Sequence, residues 1–123
     1  MEPRRLLVID DEPDFCDFVR AVGEGMGYQV VTCTDGLRAM SAFDETHPDL
    51  VVLDVVMPDI EGIQIVQELA QRRSMARVVM VTGYDPGYVE AARTIGVARG
   101  LARIDTLTKP VRVEDLRALL RAA

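Results

Sequence analysis

The sequence predicts an α/β domain whose parallel β-sheet is covered by helices on both faces. Three observations carry this reading. Short β-branched runs alternate with segments whose apolar residues recur every three or four positions, and the pair repeats five times. Several of the runs are almost continuously apolar, as strands buried on both faces must be. With 123 residues, 49% hydrophobic and 28% charged, the chain has material for one core and enough charge to stay dissolved. Consecutive parallel strands then need crossover helices of right-handed sense.

The first strand is read at Arg5-Leu6-Leu7-Val8-Ile9-Asp10, and a helix follows whose stripe is Phe15, Phe18, Val19, Val22 and Met26, stopped by Gly27. Tyr28 to Cys33 is the second strand; Leu37, Met40 and Phe43 mark a weaker helix that ends before Pro48. The third strand is Leu50 to Asp54, and Ile65, Val66, Leu69 and Ala70 form the next stripe. Arg77 to Thr82 is the fourth strand, followed by a helix on Tyr88, Ala91, Ala92, Ile95 and Ala98 that can run to about Gly100. A fifth strand is placed around Leu101 to Leu107, although Arg103, Asp105 and Thr106 dilute it. Pro110 ends it, and Val113, Leu116, Leu119 and Leu120 make the last helix. Residues 1–123 are thus expected to form a single domain, with any output domain lying outside this chain.

Charge and patterning exclude several functions. Twenty acidic residues against fourteen basic ones give a net charge of −6, which disfavours direct binding to nucleic acid or to an anionic membrane. No apolar run approaches the ~18 residues of a membrane span, and the N-terminus lacks the apolar stretch of a signal peptide, so a cytoplasmic location is expected. Cys16 and Cys33 form no Cys-x-x-Cys pair and are read as buried, reduced thiols. Gly23, Gly25 and Gly27 close a helix instead of opening one after a strand, so they are no dinucleotide fingerprint. His47, with no second ligand nearby in sequence, is read as a surface residue.

The polar residues collect at strand ends. The first strand leads into Asp10-Asp11, the third ends in Asp54, the fourth in Thr82, and the fifth leads to Lys109, the one lysine among thirteen arginines. In an open parallel sheet the carboxyl ends share one edge, where ligands bind. Three carboxylates, a hydroxyl and an ammonium therefore converge by topology. Clustered carboxylates stay ionised together only with a cation among them, and an all-oxygen set with few ligands suits Mg²⁺ with phosphate as co-ligand. Asp54 can then attack a phosphoryl donor, with Lys109 and Thr82 meeting the transferred group. The structural alternative, helix capping by Asp11 and a turn role for Asp54, leaves Lys109 and Thr82 unexplained.

Val8-Ile9-Asp10-Asp11-Glu12-Pro13, Leu50 to Pro58 with Gly62, Val81-Thr82-Gly83 and Thr108-Lys109-Pro110 resemble the response-regulator receiver domain of bacterial two-component systems. The resemblance spans the chain and its motifs fall in the family's order. It implies a flavodoxin-like, doubly wound five-stranded parallel sheet in order 2-1-3-4-5 with five helices. It also implies Asp54 as phosphoacceptor, and Mg²⁺ held by Asp11 directly, Asp10 through water, Asp54 and the main-chain carbonyl of Val56. Thr82 and Lys109 would contact the phosphoryl group. The implied partner is a sensor histidine kinase or phosphotransfer protein, and the implied role is a switch, not an enzyme. A homodimer or output contact would use the face of the fourth helix, fifth strand and fifth helix. Two other readings stay open: an interaction module that does not use phosphorylation, and a Mg²⁺-dependent phosphohydrolase, although no aspartate stands two positions after Asp10 or Asp54.

The chain departs from the family where an aromatic usually precedes the lysine by three positions; Thr106 stands there. The span from Thr82 to Lys109 is about one turn longer than usual, which suggests an extended fourth helix carrying Arg93, Arg99 and Arg103, with signalling by a helix or loop shift near Tyr84 and Tyr88. Gly83 is expected to keep the site open, Pro58 and Gly62 to shape the adjoining loop, and Val56 and Tyr84 to exclude water and slow loss of a phosphoryl group.

Overall fold

A computed structural model describes residues 2–83, 86–101 and 103–122. Five strands and five helices alternate: β1 (Arg5–Ile9), α1 (Pro13–Gly25), β2 (Gln29–Cys33), α2 (Ala39–Thr46), β3 (Leu50–Asp54), α3 (Gly62–Gln71), β4 (Arg77–Thr82), α4 (Pro86–Ala98), β5 (Ile104–Thr108) and α5 (Val113–Ala122). The sheet runs β2-β1-β3-β4-β5 with every pairing parallel, as expected. The reversal of strand order beside β1 opens a crevice at the carboxyl ends of β1 and β3.

Alternation along the strands divides the core. Leu6, Val8, Leu50, Val52, Val79 and Val81 face α1 and α5, where Cys16, Val19, Leu116 and Leu120 are buried. Leu7, Ile9, Val51, Leu53, Val78 and Met80 face the other side, against Ala39, Ile65, Val66, Leu69, Val89 and Ala92 from α2, α3 and α4. Strands covered on both faces need apolar residues at every position, which explains the unbroken runs in β1, β3 and β4.

Helix ends follow from local chemistry. Gly27 (φ 92°) and Gly100 (φ 104°) take the left-handed turn after α1 and α4, and Tyr28 and Leu101 donate their N–H groups back to the carbonyls of Gly23 and Gly96. This closure corrects the start of the fifth strand. Leu101 belongs to the helix terminus, where it is buried, so β5 begins at Ile104. It corrects the fourth helix too: α4 stops at Ala98, leaving Arg99 in the turn and Arg103 just before β5.

Two apolar stripes also differ from expectation. On α4 the inward face is Val89, Ala92 and Gly96, while Ala91 and Ala98 are exposed. A Cβ at Gly96 would come 2.6 Å from Ile104 and 2.9 Å from Val66, so a residue with no hydrophobic signature marks the contact line. Leu37 lies on a short 3₁₀ turn (Gly36–Arg38) before α2 and is 71% exposed. The Asp35 carboxylate accepts its N–H and winds that turn out of phase with the helix. Cys16 is buried as expected, Cys33 is half-buried, and both thiols are free.

Candidate functional site

The carboxyl ends of β1, β3 and β5 bring together residues from three distant stretches. Asp10, one residue past β1, is fully buried; its Oδ1 accepts the N–H of Glu12 at 2.9 Å. Asp54, the last residue of β3, is 5% exposed, and its Oδ1 accepts the N–H of Val56 at 2.9 Å. Lys109 follows β5, and its N–H donates to the carbonyl of Thr82 at 3.0 Å, which docks it against the end of β4. Its ammonium lies 2.9 Å from Asp10 Oδ2, 3.5 Å from Asp54 Oδ2 and 2.6 Å from Glu12 Oε1. Thr82 is buried one residue beyond Val81, the register partner of Asp54.

Most of the expected residues therefore meet at one rim. Asp11 is half-exposed and stays outside the tight group, and Glu12 takes a place there instead. Sequence reasoning also counted Phe15 as a core residue of α1; its ring lies 4.6 Å from the Lys109 ammonium in a cation–π contact. Neither role had a sequence signal, because nothing in the order of residues shows a side chain 97 positions away.

The loop after β3 is built around glycine. A Cβ on Gly62 would fall 2.5 Å from the Cα and carbonyl oxygen of Val55, both backbone atoms that cannot step aside. Gly62 donates to that carbonyl at 3.1 Å, Val56 bridges Glu61, and Asp59 accepts the N–H of Gly36. Gly83 lies at the end of β4 beside Lys109. A Cβ there would meet only Lys109 Cβ, at an ordinary 3.5 Å. Val56, whose N–H is held by Asp54, is 40% exposed, and Tyr84 lies outside the described residues.

Burial pushes the Asp54 carboxyl up to about 6; repulsion from Asp10 and Asp11 adds to this, while the Val56 N–H and Lys109 oppose it. Burial also raises Asp10 above the usual carboxylate range. For Lys109, burial works against the charge, but the carboxylates of Glu12, Asp10 and Asp54 around it prevail and hold it above its ordinary value. Three carboxylates face one ammonium.

These residues fit a small divalent cation. Asp10, Glu12 and Asp54 each offer an oxygen, all within 4.8 Å of one another, close to the ~4.2 Å that separates opposite ligands around octahedral Mg²⁺. Asp10 Oδ2 is buried with no hydrogen bond, its charge met by Lys109 alone without hydrogen-bond geometry. A buried carboxylate oxygen left that way is suited to a hard cation.

Away from the rim, Arg77 at the start of β4 is 95% buried (5% exposed), pairs with Asp105 at 2.6 Å and donates to the Leu119 carbonyl at 2.5 Å. Tyr28 donates its hydroxyl to the Leu120 carbonyl at 2.6 Å, so two side chains satisfy the end of α5. Over β5, a groove of about 380 Å³ is lined by Arg93, Ile104, Asp105, Thr106, Leu107 and Asp115, among others. It lies where an aromatic in place of Thr106 would stand.

Comparison with known proteins agrees with this fold. The family model described as response regulator receiver domain matches residues 6–121. The chain is 32% identical to the alkaline phosphatase synthesis transcriptional regulatory protein PhoP of Bacillus subtilis, over 97% of this chain and 48% of that protein. It is 36% identical to the probable transcriptional regulatory protein TcrX of Mycobacterium tuberculosis, over 98% of this chain and 51% of that protein. The chain thus spans about half the length of the curated relatives it matches. Among solved structures, a response regulator from Colwellia psychrerythraea shares 29% identity with a TM-score of 0.79, covering 97% of this chain and 94% of that one. A CheY-like receiver domain protein from Methanospirillum hungatei shares the fold at a TM-score of 0.83 and 22% identity, over 98% and 92% of the two chains.

Proposed function

The chain belongs to the response regulator receiver family of two-component signalling, and on that premise we propose that Asp54 is its phosphoacceptor. The observation that carries this reading is the placing of the Lys109 ammonium among Asp10, Glu12 and Asp54, with Asp10 Oδ2 left for a cation.

Asp54 Oδ2 attacks the phosphorus of a phosphohistidine on a sensor histidine kinase or phosphotransfer protein, or of a small acyl phosphate. The new P–O bond forms as the donor's P–N or P–O bond breaks, and the leaving group departs with the electron pair. Lys109 stands close enough to meet the negative charge of the transferred group, and Thr82 lies one residue further along the same rim. Asp10 and Asp54, with Asp11 at the edge and the Val56 carbonyl, are the residues that would hold Mg²⁺. When bound, Mg²⁺ supplies positive charge between the carboxylates and the incoming dianion.

The protein's own residues thus assist the transfer, but the product is a changed state of the domain, so the domain acts as a switch. Moving it from 1:99 to 99:1 takes about 5.5 kcal/mol of differential stabilisation, within reach of several charge-assisted contacts to a phosphoryl group. The output face is α4, β5 and α5, through an output domain or a second copy. Its groove with both charge signs, Arg93 against Asp105 and Asp115, supports protein contact there. Direct nucleic-acid or membrane contact by this domain is disfavoured by its net charge of −6. No helix among the described residues is long and apolar enough to cross a membrane, in keeping with a cytoplasmic site of action.

Incubation with acetyl phosphate and Mg²⁺ followed by intact mass tests the proposal. One stable phosphoryl group, lost in Asp54→Asn, supports the switch. Absence of any adduct supports a module independent of phosphorylation, and continuous phosphate release supports a hydrolase.

A further inference from the structure

Glu12 does not cap the helix it precedes: it stands at the N-cap of α1, yet its side chain makes no capping bond. The carboxylate reaches across the crevice instead and accepts a hydrogen bond from Lys109 Nζ at 2.6 Å, the shortest of the three carboxylate contacts to that ammonium. Asp54, where a phosphoryl group would form, is the most distant at 3.5 Å.

An ammonium has three N–H donors and no more. Phosphoryl oxygens on Asp54 compete for these donors with the two nearer carboxylates, at 2.6 and 2.9 Å, and one of those has to yield for the ammonium to close on them. Asp10 cannot, since its side chain is fully buried and its other oxygen is fixed by the Glu12 N–H. Glu12 can, because its side chain is 62% exposed and water will solvate it when it leaves. The Phe15 ring, one turn along α1, keeps the ammonium at the rim whichever partner it holds. Glu12 also places a negative charge in the path of a dianionic donor.

We propose that Glu12 is a positioning residue that clasps Lys109 in the resting domain and must release it when Asp54 is phosphorylated. This rests on the receiver reading above and adds a brake to it: in the resting site the ammonium is held closer to Glu12, at 2.6 Å, than to the phosphoacceptor, at 3.5 Å.

Lys109 is the only lysine in the chain, so its side-chain amine gives one unambiguous resonance in a ¹⁵N- and ¹³C-labelled sample. Two variants separate reach from charge. Glu12→Asp keeps the charge, is one methylene too short to reach Lys109, and suits an N-cap. Glu12→Gln keeps the length and removes the charge. The clasp requires that both variants move the Lys109 resonances in metal-free protein. Both should also take up the phosphoryl group of acetyl phosphate about two- to fivefold faster, since an exposed ion pair is a small barrier. A Glu12→Asp variant with wild-type resonances and wild-type rate overturns the proposal in favour of a plain charge effect. Two unchanged variants overturn it outright. Should the wild-type domain take up no phosphoryl group, the receiver reading fails, and the resonances alone still decide whether the clasp exists.

Discussion

Asp54→Asn should make the metal-free domain more stable while abolishing phosphorylation. The carboxyl is lifted from its ordinary 3.8 to about 6 because the fold buries it beside Asp10. Each unit corresponds to 1.36 kcal/mol, so ionising Asp54 at neutral pH costs the folded state up to about 3 kcal/mol. Asparagine resembles the protonated acid, keeps an Oδ1 for the Val56 N–H, and removes that cost. The sign follows from proton counting. Between pH 3.8 and about 6 the folded state holds a proton that the unfolded state has lost, so the contribution of Asp54 to stability falls as pH rises through that window. Urea melts from pH 4 to pH 8 without divalent ions should show the variant ahead by up to ~3 kcal/mol above pH 6, a gap of order 10 °C in Tm for a domain of this size. The gap should close towards pH 4. Added Mg²⁺ should narrow it at neutral pH, because the wild type binds the ion through Asp54 and the variant has lost that ligand. A variant less stable than wild type at pH 7 without Mg²⁺ would refute the reasoning, since Asp54 would then be contributing to the fold and not straining it.

Other positions have equally definite outcomes. Gly62→Ala drives a Cβ into the Val55 backbone, so it should cost about 1–3 kcal/mol in a urea melt and slow phosphoryl uptake by displacing the loop after Asp54. Arg73→Gly should raise stability by about 1 kcal/mol in the same assay, because Arg73 takes the left-handed turn after α3 at φ 52°. Arg77→Met strips the Leu119 carbonyl of its donor and Asp105 of its partner; a loss of ~2–4 kcal/mol is expected, with faster amide exchange in α5.

What could be seen in the sequence was set by burial. Strands β1, β3 and β4 lie under helices on both faces, so every interior position had to be apolar and the runs stood out. Asp10, Asp54 and Thr82 were legible because each ends or follows such a run at the same end of a parallel sheet, and Lys109 because it is the one lysine in the chain, past the weaker fifth run; topology then gathers them. Where contact depended on the absence of a side chain, the pattern misled. Gly96 lets α4 approach Ile104 and Val66, and the apparent stripe through Ala91 and Ala98 was out of phase with the buried face. Leu37 kept helical spacing but sits on a turn wound by Asp35. Glu12 and Phe15 escaped notice for a different reason: one looked like part of an acidic run and the other like core, and only the folded chain sets both against Lys109. Arg77 read as a strand residue, and nothing local showed that its guanidinium would be buried under the end of α5.

The central claim is that Asp54, and no other carboxylate in the crevice, receives the phosphoryl group. Borohydride reduction of the acyl phosphate after treatment with acetyl phosphate and Mg²⁺, followed by peptide sequencing, reads the modified position directly. Conversion of Asp54 alone is the expected result; conversion at Asp10, Asp11 or Glu12 with Asp54 intact would contradict the account.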